Sequence, residues 1–148
     1  MRRDATIRSD GGEREGVRMS RIGLLLVMHG KLGHHLLDTL REMIGELPLG
    51  ADVLEVRRVS AHEVLIRQGR KMLDRLDGGG GVLILTDAFG STPSNIANKL
   101  RDSHRCAVVA GVNLPMLVRI FNYPDLPLAE MARSAVEGGS RGILECPR

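Results

Sequence analysis

The chain has 148 residues, of which 43% are hydrophobic, so it is long enough for one domain with a full core and too short for two. Its formal net charge is +3, from 21 basic and 18 acidic residues, and its only aromatic residues are Phe89, Phe121 and Tyr123. A chain with no basic block and so little stacking surface is a poor candidate for nucleic-acid binding.

Cysteine content and hydropathy indicate the compartment. Cys106 and Cys146 are far apart and form no Cys-x-x-Cys pair, so we expect reduced thiols instead of a disulfide frame or a zinc site. The longest apolar run, 22–28, is much shorter than the roughly 20 residues that a membrane helix needs. No small-residue cleavage site follows it. We therefore expect a cytoplasmic protein that does not insert into a membrane.

The N-terminal stretch 1–18 is rich in arginine, acids and glycine and has only scattered apolar residues. Such a composition cannot nucleate a core. We predict a disordered extension over residues 1–18, with Met19 as an alternative start, and one ordered domain over 19–148.

The first predicted strand covers residues 21–28 and leads directly into His29 and Gly30. A helix is expected from about Gly33, because apolar residues recur at helical spacing until Pro48 ends the pattern. His29 should therefore lie on a strand-to-helix turn, where open α/β sheets commonly place their chemistry.

A short second strand is predicted at 52–59, with two arginines towards its end. Ser60 and Glu63 have the spacing of a capping box, in which each side chain bonds the other residue's backbone N–H. This pattern predicts a second helix that reaches about Leu76.

The apolar run from Val82 ends in Asp87 and predicts a third strand. Thr92 followed by Pro93 is typical of an N-cap with proline at the first helical position. A third helix should then run to about Asp102.

The remaining chain predicts a strand at 105–111, helices at 113–121 and 126–138, and a short terminal strand at 142–145. Strands and helices alternate throughout, which is typical of α/β proteins. We predict a single domain with a doubly wound, mainly parallel sheet of four strands and helices on both faces.

In such a sheet, the loops at His29, at Asp87–Thr92 and at 111–113 meet at one edge. A carboxylate that accepts a hydrogen bond from one ring nitrogen leaves the other nitrogen as a nucleophile. The same carboxylate stabilises the cation formed when the ring takes up an electrophile. We therefore predict that His29 and Asp87 act as one unit.

Gly90, Ser91 and Thr92 lead into a helix start, whose free amides and positive dipole end favour an anion. A histidine oriented beside such an anion cradle suggests a phosphohistidine, held by backbone amides and the Thr92 hydroxyl without a metal or other cofactor.

Plainer interpretations exist for each feature taken alone: His29 as a polar turn residue, Asp87 as a turn former or cap, and residues 90–93 as an ordinary capped loop.

Two other functions also stay open. One is a receiver-like regulatory module phosphorylated on Asp87, which would need further acids after the first strand to hold Mg²⁺. The other is a non-catalytic anion-binding or nucleotide-binding module, although the sequence has no glycine-rich nucleotide fingerprint.

The spacing of the other histidines does not indicate a metal site. His34 and His35 are near His29, but adjacent helical residues point about 100° apart, and no acidic or cysteine partner lies in the loop. His62 and His104 are expected to face solvent.

Four segments together resemble the IIA component of the mannose-type (mannose/fructose/sorbose) phosphotransferase system, over about residues 20–145. They are Val27-Met-His-Gly30, Glu42-Met-Ile-Gly45, Leu83-Ile-Leu-Thr-Asp-Ala-Phe-Gly-Ser-Thr-Pro-Ser-Asn95 and Ala110-Gly-Val-Asn-Leu-Pro-Met-Leu117.

The resemblance implies a component of a phosphoenolpyruvate-dependent phosphotransferase system. It implies that a histidine-containing phosphocarrier protein donates a phosphoryl group to His29 and that Asp87 orients the ring. With Asp87 on Nδ1, the phosphoryl group is expected on Nε2. Thr92 occupies the place where the family commonly has a serine near the phosphate.

The resemblance further implies a homodimer whose terminal strand, here 142–145, exchanges between subunits. Met28 replaces a threonine that is common before the active histidine, so we expect one hydroxyl contact to the phosphate to be missing. No IIB domain follows residue 148 in this sequence. We therefore expect either transfer to a separate IIB-type acceptor in sugar transport or a regulatory relay.

Overall fold

The computed structural model describes residues 20–148, so the predicted extension at 1–18 lies outside the described residues. Strands and helices alternate as predicted. The described part contains β1 (Gly23–His29), α1 (Leu32–Ile44), β2 (Ala51–Val56), α2 (His62–Leu76), β3 (Val82–Thr86), α3 (Thr92–Leu100), a 3₁₀ turn (Arg101–Ser103), β4 (Cys106–Ala110), α4 (Leu114–Asn122) and α5 (Leu128–Arg141).

The four strands form one parallel sheet in the order β2-β1-β3-β4. In this register Val27 pairs with Thr86, and His29 pairs with Val56. The strand order reverses between β1 and β3, and the carboxyl edge at such a point is where open α/β sheets bind ligands. The predicted α/β class and the predicted parallel sheet of four strands are confirmed.

Helices cover both faces of the sheet. Leu24, Leu26 and Met28 of β1 pack in a core with α1, α4 and α5. Leu25 and Val27 pack in a second core with α2 and α3. Because side chains alternate along a strand, the side chain of His29 leaves β1 on the same face as that of Val27, the face that α2 and α3 cover.

Two predicted helix starts are wrong in detail. The N-cap of α2 is Ala61, and no side chain caps this helix. The cause is that β2 ends at Val56, so the chain already turns at Ser60, whose backbone N–H donates to the Arg57 carbonyl at 3.0 Å. In α3 the N-cap is Ser91, and Thr92 is the first helical residue.

The terminal segment 142–148 contains no strand in this single chain, and its Ile143 and Leu144 are 77% and 67% exposed. Exchange of residues 142–145 between two subunits stays a prediction. No helix within residues 20–148 has both the length and the apolar composition to cross a bilayer.

The start of β1 packs tightly against the end of α2. A Cβ added at Gly23 would lie 2.5 Å from the Leu76 carbonyl oxygen and 2.9 Å from the Leu76 Cβ. We expect Gly23→Ala to lower the free energy of unfolding by about 1–3 kcal/mol, because helix backbone has to move to relieve the overlap.

Gly78→Ala is the matched control, since a Cβ at Gly78 meets no atom within 4 Å. This control should lose no stability. Urea unfolding followed by circular dichroism measures both variants, and equal stability of the two would contradict the close contact at Gly23.

Candidate active site

The ends of the two central strands bring a histidine and a carboxylate into contact. Nδ1 of His29 lies 2.6 Å from Oδ2 of Asp87. The backbone N–H of His29 donates to the same oxygen at 2.9 Å. The other oxygen of Asp87 accepts hydrogen bonds from the backbone N–H of Ala88 at 3.0 Å and from the Thr86 hydroxyl at 3.5 Å.

These contacts favour the ionised form of Asp87 and orient the His29 ring. Partial burial by itself raises the pKa of Asp87, but hydrogen bonds from the His29 backbone, the His29 ring and the Ala88 backbone outweigh it, so the pKa lies below its ordinary value. An ionised carboxylate only accepts, so Nδ1 donates to it, and in the neutral form of the ring this tautomer leaves the lone pair on Nε2.

Exposure separates the roles of the two side chains. The His29 side chain is 58% exposed, whereas that of Asp87 is 12% exposed. A reactant approaching from solvent therefore reaches the imidazole, while the carboxylate stays behind it.

A cavity of about 230 Å³ opens beside the ring. It lies at the beginnings of two helices, because His62 is the first residue of α2 and Thr92 is the first residue of α3. Helix N-termini present free backbone N–H groups and a positive dipole end. The residues lining the cavity are His29, Val56, Arg57, Arg58, His62 and Thr92.

The three predicted phosphate-binding residues differ in position. Thr92 lines the cavity with His29, whereas Gly90 and Ser91 are not among its lining residues. The Ser91 hydroxyl donates to the Ala88 carbonyl at 2.6 Å, and Gly90 has a positive φ of 86°. Ser91 therefore stabilises the turn, and a phosphate contact by its amide or by that of Gly90 stays a prediction.

The loop after β4 supports the turn that bears Asp87. The backbone N–H of Gly111 donates to the carbonyls of Thr86 and Asp87, each at 3.0 Å. Asn113 is the N-cap of α4, and its side-chain oxygen accepts from the Met116 N–H at 2.9 Å. The three loops expected at one edge thus lie together.

Met28 does not lie at the cavity. It is 1% exposed and packs in the core with α1, α4 and α5, on the opposite face of the sheet from His29. A threonine side chain at this position would start from that same opposite face, so the structure does not support the expected loss of a phosphate contact.

Sequence reasoning missed four residues of the cavity, Val56, Arg57, Arg58 and His62. Extending β2 to residue 59 placed both arginines inside a strand, although the strand ends at Val56. The available signal was the end of the apolar run at Val56, because a loop that follows this strand lies at the same sheet edge as His29. His62 is exposed, as predicted, and also lines the cavity.

Two further histidines pair with acids that are distant in sequence. Nε2 of His34 lies 3.0 Å from Glu55, an acid supplied by β2 and not by the local loop. His104 was predicted to face solvent, but its side chain is only 20% exposed and its Nε2 lies 2.7 Å from Asp74. Within residues 20–148, no three or more His, Cys, Asp or Glu side chains form a group able to hold a metal ion.

Comparison with known proteins gives consistent matches. A family model described as the PTS system fructose IIA component (EIIA-man) matches residues 23–136. The PTS system mannose-specific EIIAB component of Escherichia coli (strain K12) is 34% identical over 125 residues, which cover 82% of this chain and 38% of that protein. This chain thus corresponds to less than half of that relative's length.

Solved structures show the same fold. The mannose/sorbose specific IIA subunit of the phosphotransferase system from Enterococcus faecalis has a TM-score of 0.76 and 23% identity, over 87% of this chain and 98% of that one. The PTS IIA protein associated with the fucose utilization operon of Streptococcus pneumoniae has a TM-score of 0.73 and 23% identity, over 86% and 94% of the two chains.

The depressed pKa of Asp87 makes stability depend on pH. Its interactions contribute fully above the unfolded pKa of about 3.9 and are lost as pH falls through the lower folded pKa. We expect Asp87→Asn to cost about 1–2 kcal/mol of unfolding free energy at neutral pH, and the difference from the parent to shrink below about pH 4.

Urea titrations at neutral and acidic pH measure this difference. Asp102→Asn, at an exposed position in the 3₁₀ turn, is the matched control and should show no such trend. A stability difference for Asp87→Asn that does not change with pH would contradict the ionised acceptor.

Proposed function

We propose that this chain, which belongs to the mannose-type IIA family of the phosphotransferase system, accepts a phosphoryl group on Nε2 of His29 and then passes it on. Members of this family are phosphoryl relay components. The observation that supports His29 as the carrier is the 2.6 Å contact between its Nδ1 and Asp87, in a ring that is 58% exposed.

The chemistry follows from the tautomer that this contact favours. The lone pair of Nε2 attacks the phosphorus of a donor phosphohistidine, and the electron pair of the donor's N–P bond returns to the donor's ring nitrogen. The new bond joins phosphorus to Nε2, and no proton is gained or lost overall. The Nδ1 proton stays with the ring, whose positive charge Asp87 stabilises.

The cavity suits a transferred phosphoryl group. Two helix N-termini lie at it, and each contributes roughly half a positive charge near its end. The Thr92 hydroxyl can donate to a phosphoryl oxygen, and the amides of Gly90 and Ser91 complete the proposed set.

The proposed donor is a histidine-containing phosphocarrier protein, and the proposed acceptor is a IIB-type component. The relative from Escherichia coli is named as an EIIAB component, but this chain spans 38% of it, so sugar transport and a regulatory relay are both proposed destinations of the phosphoryl group. A homodimer is part of the same proposal.

A receiver-like role for Asp87 has less support. The carboxylate is 12% exposed, and both of its oxygens already accept hydrogen bonds. A receiver would also need further acids at the end of β1 to hold Mg²⁺, and here Met28 and His29 are found at that end.

The direct test is phosphorylation by the donor chain. The protein, incubated with the phosphocarrier protein, its enzyme and phosphoenolpyruvate, should gain the mass of one phosphoryl group, as an acid-labile and base-stable modification. His29→Ala should abolish the gain. His35→Ala, at another exposed histidine nearby, is the matched control and should retain it.

Labelling that persists in His29→Ala would overturn the proposal. If that label disappeared in Asp87→Asn and had the stability of an acyl phosphate, the receiver-like alternative would replace it.

The Thr92 hydroxyl provides a second test. Thr92→Val removes the donor, and we expect the rate of phosphoryl transfer to His29 to fall about tenfold, less than the roughly 10²–10³ typical of a buried donor, because Thr92 is exposed. Thr92→Ser keeps the hydroxyl and should retain most of the rate. Rapid-quench measurement with the phosphorylated donor compares them, and equal rates for both variants would exclude this contact.

A further inference from the structure

The β2–α2 loop adds cations to the cavity beside His29. Arg57 and Arg58 directly follow β2, and both line the cavity. The loop lies at this edge because β2 pairs in parallel with β1, with Val56 opposite His29. The backbone N–H of Gly30 also donates to the Val56 carbonyl at 3.0 Å, which holds the two strand ends together.

The two arginines differ in their ion pairs. Arg57 Nη2 lies 2.8 Å from Glu55 Oε1, and the other oxygen of Glu55 is 3.0 Å from His34 Nε2. The charge of Arg57 is therefore largely matched by its neighbour. Arg58 is exposed and forms no ion pair with any acid of the described segment 20–148.

A phosphoryl group at this place would bear more negative charge than the two helix N-termini offset. It bears close to two negative charges at neutral pH, whereas two helix N-termini together supply roughly one positive charge. The carboxylate of Asp87 offsets the positive charge of the phosphorylated ring, so these two side chains together contribute no net positive charge. Roughly one negative charge is therefore not offset by the helix ends.

We propose that Arg58 binds the oxygens of the phosphoryl group on His29 and so stabilises the phosphorylated form of this protein. This inference rests on the proposed function of His29. A guanidinium is suited to the task because its planar set of donors binds two phosphoryl oxygens at once. Arg57 remains paired with Glu55.

An equilibrium measurement separates this role from docking of the donor protein. A residue that only contacts the donor in the encounter complex changes the forward and reverse rates equally, so the equilibrium constant for transfer is unchanged. A residue that holds the phosphoryl group on this chain changes the equilibrium constant itself. The measurement mixes the phosphorylated donor with this protein and determines the fraction of each phosphorylated chain by intact mass.

Arg58→Ala should lower the equilibrium constant for transfer onto His29 about tenfold, the loss expected for one charge-assisted hydrogen-bond pair at an exposed site. Arg58→Lys, which keeps the charge but not the two-pronged geometry, should recover part of the loss. Arg70→Ala is the matched control, because Arg70 is exposed on α2 and does not line the cavity. It changes net charge equally and should leave the constant unchanged.

The outcomes distinguish this inference from the proposed function. If the parent protein is labelled on His29 and Arg58→Ala has the same equilibrium constant as Arg70→Ala, Arg58 does not hold the phosphoryl group and this inference fails alone. Slower transfer at an unchanged constant assigns Arg58 to docking and also overturns it. Absence of labelling on His29 in the parent protein would instead remove the proposed function.

Discussion

The site depends on one carboxylate oxygen that joins two strands. Oδ2 of Asp87 accepts hydrogen bonds from both the ring N–H and the backbone N–H of His29. Asp87 and His29 are 58 positions apart in sequence. This contact is available only because β1 and β3 are parallel neighbours whose ends lie at the same edge. The sheet order is thus what converts two separate turns into one acid–imidazole unit, and the same oxygen selects the ring tautomer.

The alternation of side chains along β1 then decides what surrounds the imidazole. His29 starts from the face that α2 and α3 cover, and both of these helices begin beside it. Met28 starts from the other face and belongs to the core. A shift of one residue in β1 would exchange these two positions, burying the histidine and exposing the methionine. The alternation along β1 therefore places the imidazole beside the positive dipole ends of α2 and α3.

The placement of His29 and Asp87 at one edge was predictable from sequence because each residue ends an apolar run, and runs of that kind form parallel strands. That the two strands are neighbours is shown by the structure. The starts of α2 and α3 were less predictable. At Ser60 a tight turn uses the backbone that a capping box would need, so tertiary context overrides the local pattern. The pairing of His104 with Asp74 joins distant parts of the chain, and no periodicity in the sequence indicates it.

The candidate site has two parts that are under different constraints. The acid–imidazole unit is built at the ends of strands in a sheet that is buried on both faces, so the packing of two cores fixes the positions of the strands that bear it. Arg57 and Arg58 lie on an exposed loop, where substitutions cost little stability. The positive charge around the proposed phosphoryl site can therefore be tuned independently of the His29–Asp87 pair. In the proposed relay, such tuning shifts the equilibrium between donor and carrier while the transfer chemistry at Nε2 stays the same.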